Sequence, residues 1–405
     1  MITDFIKSHN YRLWVLSAGW FSSSVGFSIS IPFISIYFHS ELGIAPSTIG
    51  IFFGLAAIIR SISHSFGGEL SDHIGRYRIM ITAQFLRVLT FFLISYAVYA
   101  HWGFYALGTT LIINFILGSF FQPAANATVA DLVPPEKRTE GYAIIRSVEN
   151  LGWAAGPAIG GFLAASSYSS LFIISAAMTF VSATIISIFL KGIKNASENN
   201  RSSSFREMFT IKGNELIFRH VILVFILYLA VAQMIAPFSL FAVDFKGISK
   251  QQLGFLFTLN GLLVTTLQIP ITKMVRGLKL TTQLGAGALF YAAGYFLMGL
   301  SSAYAFFIVA FIIITLGENL VSPPSLTMAA NLAPEGRVGR YMGIYGFAVS
   351  GGWSLGPLLG GVLIDGTKPD FIYMWGTISL LALVAAFGFR RLARHIPAAT
   401  NIYRN

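Results

Sequence analysis

The chain contains no cysteine. Disulfides and cysteine-ligated metal sites are therefore excluded. Charge is scarce: Asp, Glu, Lys and Arg together make up 11% of the 405 residues, with 16 acids against 27 bases. No H-E-x-x-H pattern occurs and the seven histidines are scattered, so no metal or cofactor is expected. What remains is apolar. The hydrophobic fraction is 55% and the mean hydropathy +0.71. Repeated apolar runs of roughly 20 residues match the thickness of a bilayer core. In lipid the backbone must close its own hydrogen bonds, and the runs lack the alternation of a β-barrel, so they read as helices.

Twelve such segments can be drawn, at about 13–38, 47–70, 79–100, 104–129, 141–164, 170–190, 217–243, 253–274, 281–301, 304–329, 341–364 and 371–390. The first is too long for a cleaved signal core and reads as a retained helix. An even number puts both termini on one side of the membrane. Three of the 27 Lys and Arg fall on the far side (Lys246, Lys250, Lys368), four lie within segments (Arg60, Arg87, Arg146, Arg219), and the other 20 fall on the side of the termini. By the positive-inside rule that side is the cytoplasm, which gives a multi-pass protein of the cell (inner) membrane. The net charge of +11 is thereby accounted for by topology, and no nucleic-acid partner is expected.

The polar stretch from Lys191 divides the chain. Residues 1–190 and 217–405 read as two six-helix bundles, with 191–216 a flexible cytoplasmic linker. The halves repeat. "GWAAGPAIGGFL" from Gly152 returns as "GWSLGPLLGGVL" from Gly352, and "ADLVPPEKR" from Ala130 is echoed by "ANLAPEGRV" from Ala330. An internal repeat in a membrane protein favours a transporter with a site at the repeat interface.

The densest charge lies in "GGELSDHIGRYRIM", Gly67 to Met80, a turn between two apolar segments. With Gly68, Asp72, Gly75 and Arg76 it resembles the loop signature of the major facilitator superfamily; His73 and Tyr77 depart from it. Gly75 permits the chain reversal, and Arg76 can anchor to a carboxylate or a headgroup. The resemblance implies an all-α fold of two pseudo-symmetric six-helix bundles and alternating access. It also implies that Asp72 faces the start of the eleventh helix, around Gly339 to Met342, as a conformational latch. Gly152, Gly156 and Pro157, matched by Gly352, Gly356 and Pro357, resemble the antiporter motif of drug exporters. Glycines four apart form a smooth stripe for close helix packing, and proline bends the helix. Ala143 stands where the motif begins with glycine, whereas the second copy has Gly343. The first-helix stretch "VGFSISIPF" is similar to that of twelve-helix drug exporters, without the acid many of them carry.

Charges inside segments are costly and usually functional. Glu318 stands in the tenth segment, which by the resemblance lines the central cavity, and is the leading proton-coupling candidate; Glu149 is the second. Arg146 lies three residues before Glu149 and can pair with it as a structural ion pair or as a proton relay. Arg60 and His64 share a face of the second helix, Arg60 about 18 Å from Asp72, and are candidates for an anionic substrate group or for the Glu149 carboxylate. Arg87 reads as structural, since third helices are peripheral in this family. Arg219 can snorkel to the surface. "GWSLG" at Gly352 fits the hydrolase pattern G-x-S-x-G, but it lies in an apolar helix rather than a strand-to-helix turn, so no enzyme is expected.

The expected function is proton-coupled efflux of amphipathic small molecules or drugs, resembling bacterial drug:proton antiporters, by a monomer whose partners are substrate, protons and lipids. The alternative is uptake or export of an anionic metabolite, sugar or lipid by the same fold.

Overall fold

The computed structural model describes residues 10–134, 137–192, 215–301, 303–334 and 337–403. Most of the proposed linker, 193–214, lies outside the described residues. So do Lys7, Lys194, Arg201, Arg206, Lys212 and Arg404, all counted above as cytoplasmic anchors.

The described residues form twelve long helical elements, α1 (Tyr11–Glu41), α2 (Pro46–Ile74), α3 (Arg76–Tyr99), α4 (Phe104–Leu132), α5 (Arg138–Ser166), α6 (Tyr168–Phe189), α7 (Glu215–Phe245), α8 (Lys250–Val275), α9 (Leu280–Gly299), α10 (Tyr304–Asn331), α11 (Val338–Thr367) and α12 (Ile372–Leu392), followed by a single 3-10 turn at Ala398–Thr400. Ten of them are long and apolar enough to cross a membrane. The exceptions are α5, which carries Arg138, Glu140, Arg146 and Glu149, and α9, which is rich in Gly, Ala and Tyr. Several helices run past the apolar limits seen in the sequence. α2, for instance, continues through Glu69 and Asp72 to Ile74, because polar residues outside the hydrocarbon layer still propagate a helix.

Helix ends follow local chemistry. The Asn10 side chain caps α1 by accepting from the Arg12 amide at 3.0 Å. Pro46 opens α2, where its missing N–H has no role. α1 is not one smooth helix: its first part ends at Ser28, Pro32 begins a second short helix at Ile31–Ile36, and a π turn spans Tyr37–Glu41. α7 breaks in the same way. It passes through a 3-10 turn at Ala232–Met234, restarts with Pro237 in Ala236–Leu240, and ends in a π turn at Phe241–Phe245. In each case the proline withdraws one backbone donor and so frees the carbonyl one turn earlier.

Packing repeats as the sequence does. α1 packs on α5 and α6, and α3 on α4 and α6; likewise α7 packs on α11 and α12, and α9 on α10 and α12. The described residues fall into two compact units, one drawn from Met1–Ile44, Ala56–Asn199 and Ser249–Gly261, the other from Ala45–Leu55, Asn200–Ile248 and Leu262–Asn405. Each unit thus takes in about half a helix from the other sequence repeat: the start of α8 joins the first unit and the start of α2 the second.

The glycine stripes explain this grouping. In the first unit a methyl group on Gly152 would lie 2.5 Å from Ser24 Cβ of α1, one on Gly156 would overlap Ser28 Oγ, and one on Gly161 would lie 2.6 Å from the Lys250 carbonyl of α8. In the second, Gly352 meets Tyr228 Cβ of α7 at 2.5 Å, Gly356 meets Ala232, and Gly361 meets the Pro46 carbonyl of α2. Polar atoms close these contacts: Ser28 donates to the Gly152 carbonyl at 2.9 Å and Gln233 to the Gly356 carbonyl at 2.7 Å. No side chain larger than hydrogen fits where backbone meets backbone.

Gly156→Ala is therefore expected to lower the stability of the purified protein by about 1–3 kcal/mol. Gly376→Ala, a helical glycine with nothing within 4 Å of an added methyl, is expected to be neutral or stabilising by up to about 1 kcal/mol. Thermal unfolding in detergent compares the two, and equal melting temperatures would refute the packing argument.

Candidate functional site

Five helices of the first unit enclose a cleft of about 70 Å³. α1 contributes Trp20, Ser23, Ser24 and Phe27; α2 contributes Arg60; α3 contributes Arg87. α4 adds Phe115, Gly118, Phe121 and Gln122, and α5 adds Glu149 and Trp153. Arg60 stands midway between the ends of α2, and Arg87 close to the middle of α3. The helices therefore hold both charges near the depth where a bilayer is most apolar.

Phe27 organises the cleft. Its ring lies under the Arg60 guanidinium at 5.4 Å and near that of Arg87 at 6.0 Å. Phe115 and Trp153 brace the same ring edge-on at 6.0 and 5.8 Å. The quadrupole of an aromatic ring attracts a cation, and desolvation strengthens the effect. Arg87 is buried, 3% exposed, and its Nη1 donates to Ser23 Oγ at 3.1 Å and to Gln84 Oε1 at 3.0 Å. Gln84 is oriented in turn by donating to Ser182 Oγ at 2.9 Å. Arg87 Nε, itself shielded from solvent, has no acceptor among the described residues.

Arg60 is exposed to the cleft, and Glu149 is half-buried beside it. The two interact electrostatically, with Arg146 a weaker influence on Glu149. Among the described residues neither Arg60 nor Glu149 makes a hydrogen bond or an ion pair within 4.0 Å. Of the charged residues singled out in the sequence, the cleft thus brings together Arg60 and Glu149. His64 and Arg146 are not among its lining residues, although His64 lies within electrostatic reach of Arg60. Arg87, assigned by resemblance to a peripheral helix, faces inward against α1 and α4.

Glu318 belongs to the other unit. It stands near the middle of α10, half-buried, within electrostatic reach of the Tyr291 and Tyr295 side chains of α9. Both tyrosines are almost wholly buried. Next to it, Asn319 is 1% exposed, and neither polar atom of its side chain has a hydrogen-bond partner among the described residues.

The charged turn is tighter than its sequence suggests. Gly67 to Ile74 is helical, and the reversal rests on Gly75 alone, whose φ of 106° is hard for any residue with a side chain. Arg76 forms an ion pair with Asp131 of α4, donates to the Ala127 carbonyl at 3.0 Å and lies 3.7 Å from Asp72. Asp131 and Arg76 are sheltered, with side chains 6% and 12% exposed, whereas that of Asp72 is 61% exposed. Sequence reasoning left Arg76 a carboxylate or a headgroup as its anchor and did not identify Asp131. The signal was available: Asp131 stands in the repeated "ADL", where the second copy has Asn331.

The sequence profile of the Major Facilitator Superfamily matches residues 16–278 and 221–402. The chain is 29% identical over 370 residues to the uncharacterized MFS-type transporter YttB of Bacillus subtilis (strain 168), covering 87% of this chain and 88% of that one. It is 24% identical over 377 residues to the quinolone resistance protein NorA of Staphylococcus aureus (strain MSSA476), covering 93% and 95%. Among solved structures, a mutant peptide transporter POT in complex with sulfate superposes with a TM-score of 0.80 at 16% identity, covering 96% of this chain and 95% of that one. A mutant of the nucleoside transporter NupG superposes with a TM-score of 0.79 at 12% identity, covering 94% and 99%. At such identities the structural likeness is one of fold.

The Arg76 anchor gives a direct test. Asp131→Asn leaves a sheltered guanidinium without its carboxylate and is expected to cost about 1–3 kcal/mol. Asp72→Asn removes a solvent-screened partner and is expected to cost less than about 1 kcal/mol. Melting temperatures of the two variants should fall in that order; the reverse order would show that Asp72 carries the turn.

Proposed function

The chain belongs to the Major Facilitator Superfamily, and from that membership we propose that it is a proton-coupled exporter of amphipathic small molecules. The observation that carries this reading is Glu318, an acid near the middle of a membrane-spanning helix beside two buried tyrosines. An ionisable group at that depth is costly to keep, and exchange of a proton is the use that suits it. The aromatic lining of Trp20, Phe27, Phe115, Phe121 and Trp153 suits the apolar part of an amphipathic cargo. The likeness to a quinolone resistance protein supports the same reading.

In this proposal the halves 1–190 and 217–405 alternate access to the two sides of the membrane, with both termini in the cytoplasm. Glu318 takes a proton while open to the outside, as cargo leaves, and gives it up inside, where cargo binds. The Tyr291 hydroxyl lies within electrostatic reach of the carboxylate, whereas the Tyr295 hydroxyl donates to the Val231 carbonyl at 3.3 Å. Glu149 is a second acid that charge coupling can reach, through Arg60. Asp72 would latch the cytoplasmic side near Gly339–Met342 during the outward-open part of the cycle, with the stripes of Gly152, Gly156 and Pro157 and of Gly352, Gly356 and Pro357 as packed hinges. Transport of an anionic metabolite, sugar or lipid is the second reading, favoured by the two guanidinium groups in the cleft.

Energised inside-out vesicles provide the test. Addition of a transported lipophilic cation, anion or zwitterion should dissipate the pH gradient in the wild type. Glu318→Gln should reduce that flux to the level of empty vesicles at equal protein content. Cargo-driven proton flux that survives Glu318→Gln unchanged would end the role given to this residue.

A further inference from the structure

In the second unit, α7 and α12 leave a groove between the start of one and the end of the other. The topology read from the sequence makes this the cytoplasmic end of both helices. The groove holds about 320 Å³, within the range of about 300–1,000 Å³ common for ligand sites. Its floor is apolar: Ile222 and Leu223 come from α7, Gly388 and Leu392 from α12. Gly388 lets the two helices share that floor, since a methyl group there would overlap Leu223 Cδ2. Its polar lining is basic: Arg219 of α7, Arg391 of α12, and His395 just beyond α12.

The positive-inside rule explains why arginines stand at this end of the helices. It does not explain why two of them, from different helices, line one apolar groove. Neither is firmly committed elsewhere. Arg219 holds Glu215 at 3.0 Å, one turn back on its own helix, but the two side chains are 48% and 82% exposed, so the pair is weak and can be shared. Among the described residues the Arg391 side chain makes no hydrogen bond or ion pair. His395 is anchored beside it, with Nδ1 donating to the Arg391 carbonyl at 3.1 Å. No acid lines the groove, and Arg390 and Arg394 add cations at the same end of α12. Apolar surface continues from it. Leu380, Val384 and Phe387 are exposed and share one face of α12 with Arg391, and Ile222 is exposed on α7. On a membrane-spanning helix such a stripe meets lipid tails.

We propose that this groove binds a phospholipid of net negative charge from the cytoplasmic leaflet. Its phosphate lies between Arg219 and Arg391, and its acyl chains run over Ile222, Leu223 and the outer stripe of α12. A guanidinium can meet phosphate oxygens with two parallel hydrogen bonds. A basic pocket between helices on this side of a membrane suits an anionic headgroup. A zwitterionic lipid brings its own cation against the two guanidiniums and gains less. A soluble phosphate gains nothing from the apolar floor. The chain's own segment 193–214 is a poor occupant by charge, because Lys194, Arg201, Arg206 and Lys212 outnumber Glu198 and Glu207.

Lipid quenching tests this. The chain has no cysteine, so Phe387→Cys carries a unique fluorophore on the stripe and leaves the lining intact. The labelled full-length protein is reconstituted in phosphatidylcholine with increasing fractions of brominated phosphatidylglycerol or brominated phosphatidylcholine, whose chains quench on contact. Half-maximal quenching should come at a mole fraction at least about fivefold lower for phosphatidylglycerol, the factor for one arginine near an anionic lipid. Arg219→Gln combined with Arg391→Gln should merge the two curves. Arg390→Gln, which removes a charge from the same end of α12 outside the groove, should leave them apart. Glycerophosphoglycerol, the deacylated headgroup, should not displace the lipid even in excess. Coincident curves in the wild type would overturn the proposal and leave the groove to segment 193–214 or to a second copy of the chain. So would a separation that survives the double substitution, or one that Arg390→Gln abolishes as fully, the mark of diffuse surface charge. Release by the deacylated headgroup would also overturn it and make the site one for soluble phosphates. Both groove arginines are exposed, so their substitution should leave the fold intact, and the wild-type comparison needs no arginine variant. None of these outcomes bears on the exporter reading.

Discussion

The structure depends on backbone meeting backbone. In a membrane, lipid tails are as apolar as leucine, so apolar burial alone does not hold helices together; close packing and interhelical hydrogen bonds must. The glycines of α5 and α11 supply that closeness against α1 and α7, and Ser28 and Gln233 add a hydrogen bond to each contact. The two prolines join the same arrangement. The Pro157 carbonyl faces Gly254 of α8, and the Pro357 carbonyl faces Gly50 of α2. In each case a glycine of the partner helix lets its backbone come up against the carbonyl of a proline. The alternating access proposed above would need surfaces that fit tightly without side chains to interlock, and smooth stripes meet both needs.

The two repeats keep this backbone and differ in charge. Arg87 stands eleven residues into α3, and Tyr291 eleven residues into α9. By the repeat of 200 residues that relates Ala130 to Ala330, Gly118 corresponds to Glu318. The first repeat therefore has an arginine beside a glycine where the second has a tyrosine beside an acid. Glu149 corresponds to Val349 in the same way. The helix-packing pairs and glycine contacts recur in both repeats, while these polar positions differ.

How much of this the sequence disclosed follows from how rare each signal is. Charged residues are few, so Arg60, Glu149 and Glu318 stood out of their apolar surroundings without any coordinates. The glycine and proline spacing stood out because it occurs twice. Phe27 could not, being one of 37 phenylalanines, although it touches both cleft arginines. Arg87 was visible but its direction was not: the face a helix turns inward depends on rotation about its axis, which an apolar helix without a strong polar side leaves open. The breaks in α1 and α7 were hidden for a related reason. Pro32 marked the first, yet whether a proline kinks a helix or divides it is decided by the partners of the freed carbonyls.

The distribution of charge between repeats bears on how the proposed exchange could be organised. If cargo and proton shared one acid, each would have to displace the other from the same few atoms. Here the acid of α10 sits in one unit, and the aromatic cleft with its two guanidiniums in the other. On the proposed roles, cargo and proton would then bind separately, and their linkage would come from the conformational equilibrium that both bias. Such an arrangement frees the cleft to be selected for cargo and the acid for its proton, with the glycine stripes as the common mechanical element. It also explains why the polar positions of two otherwise matching repeats should diverge: symmetry serves the motion, while asymmetry lets the two ligands differ.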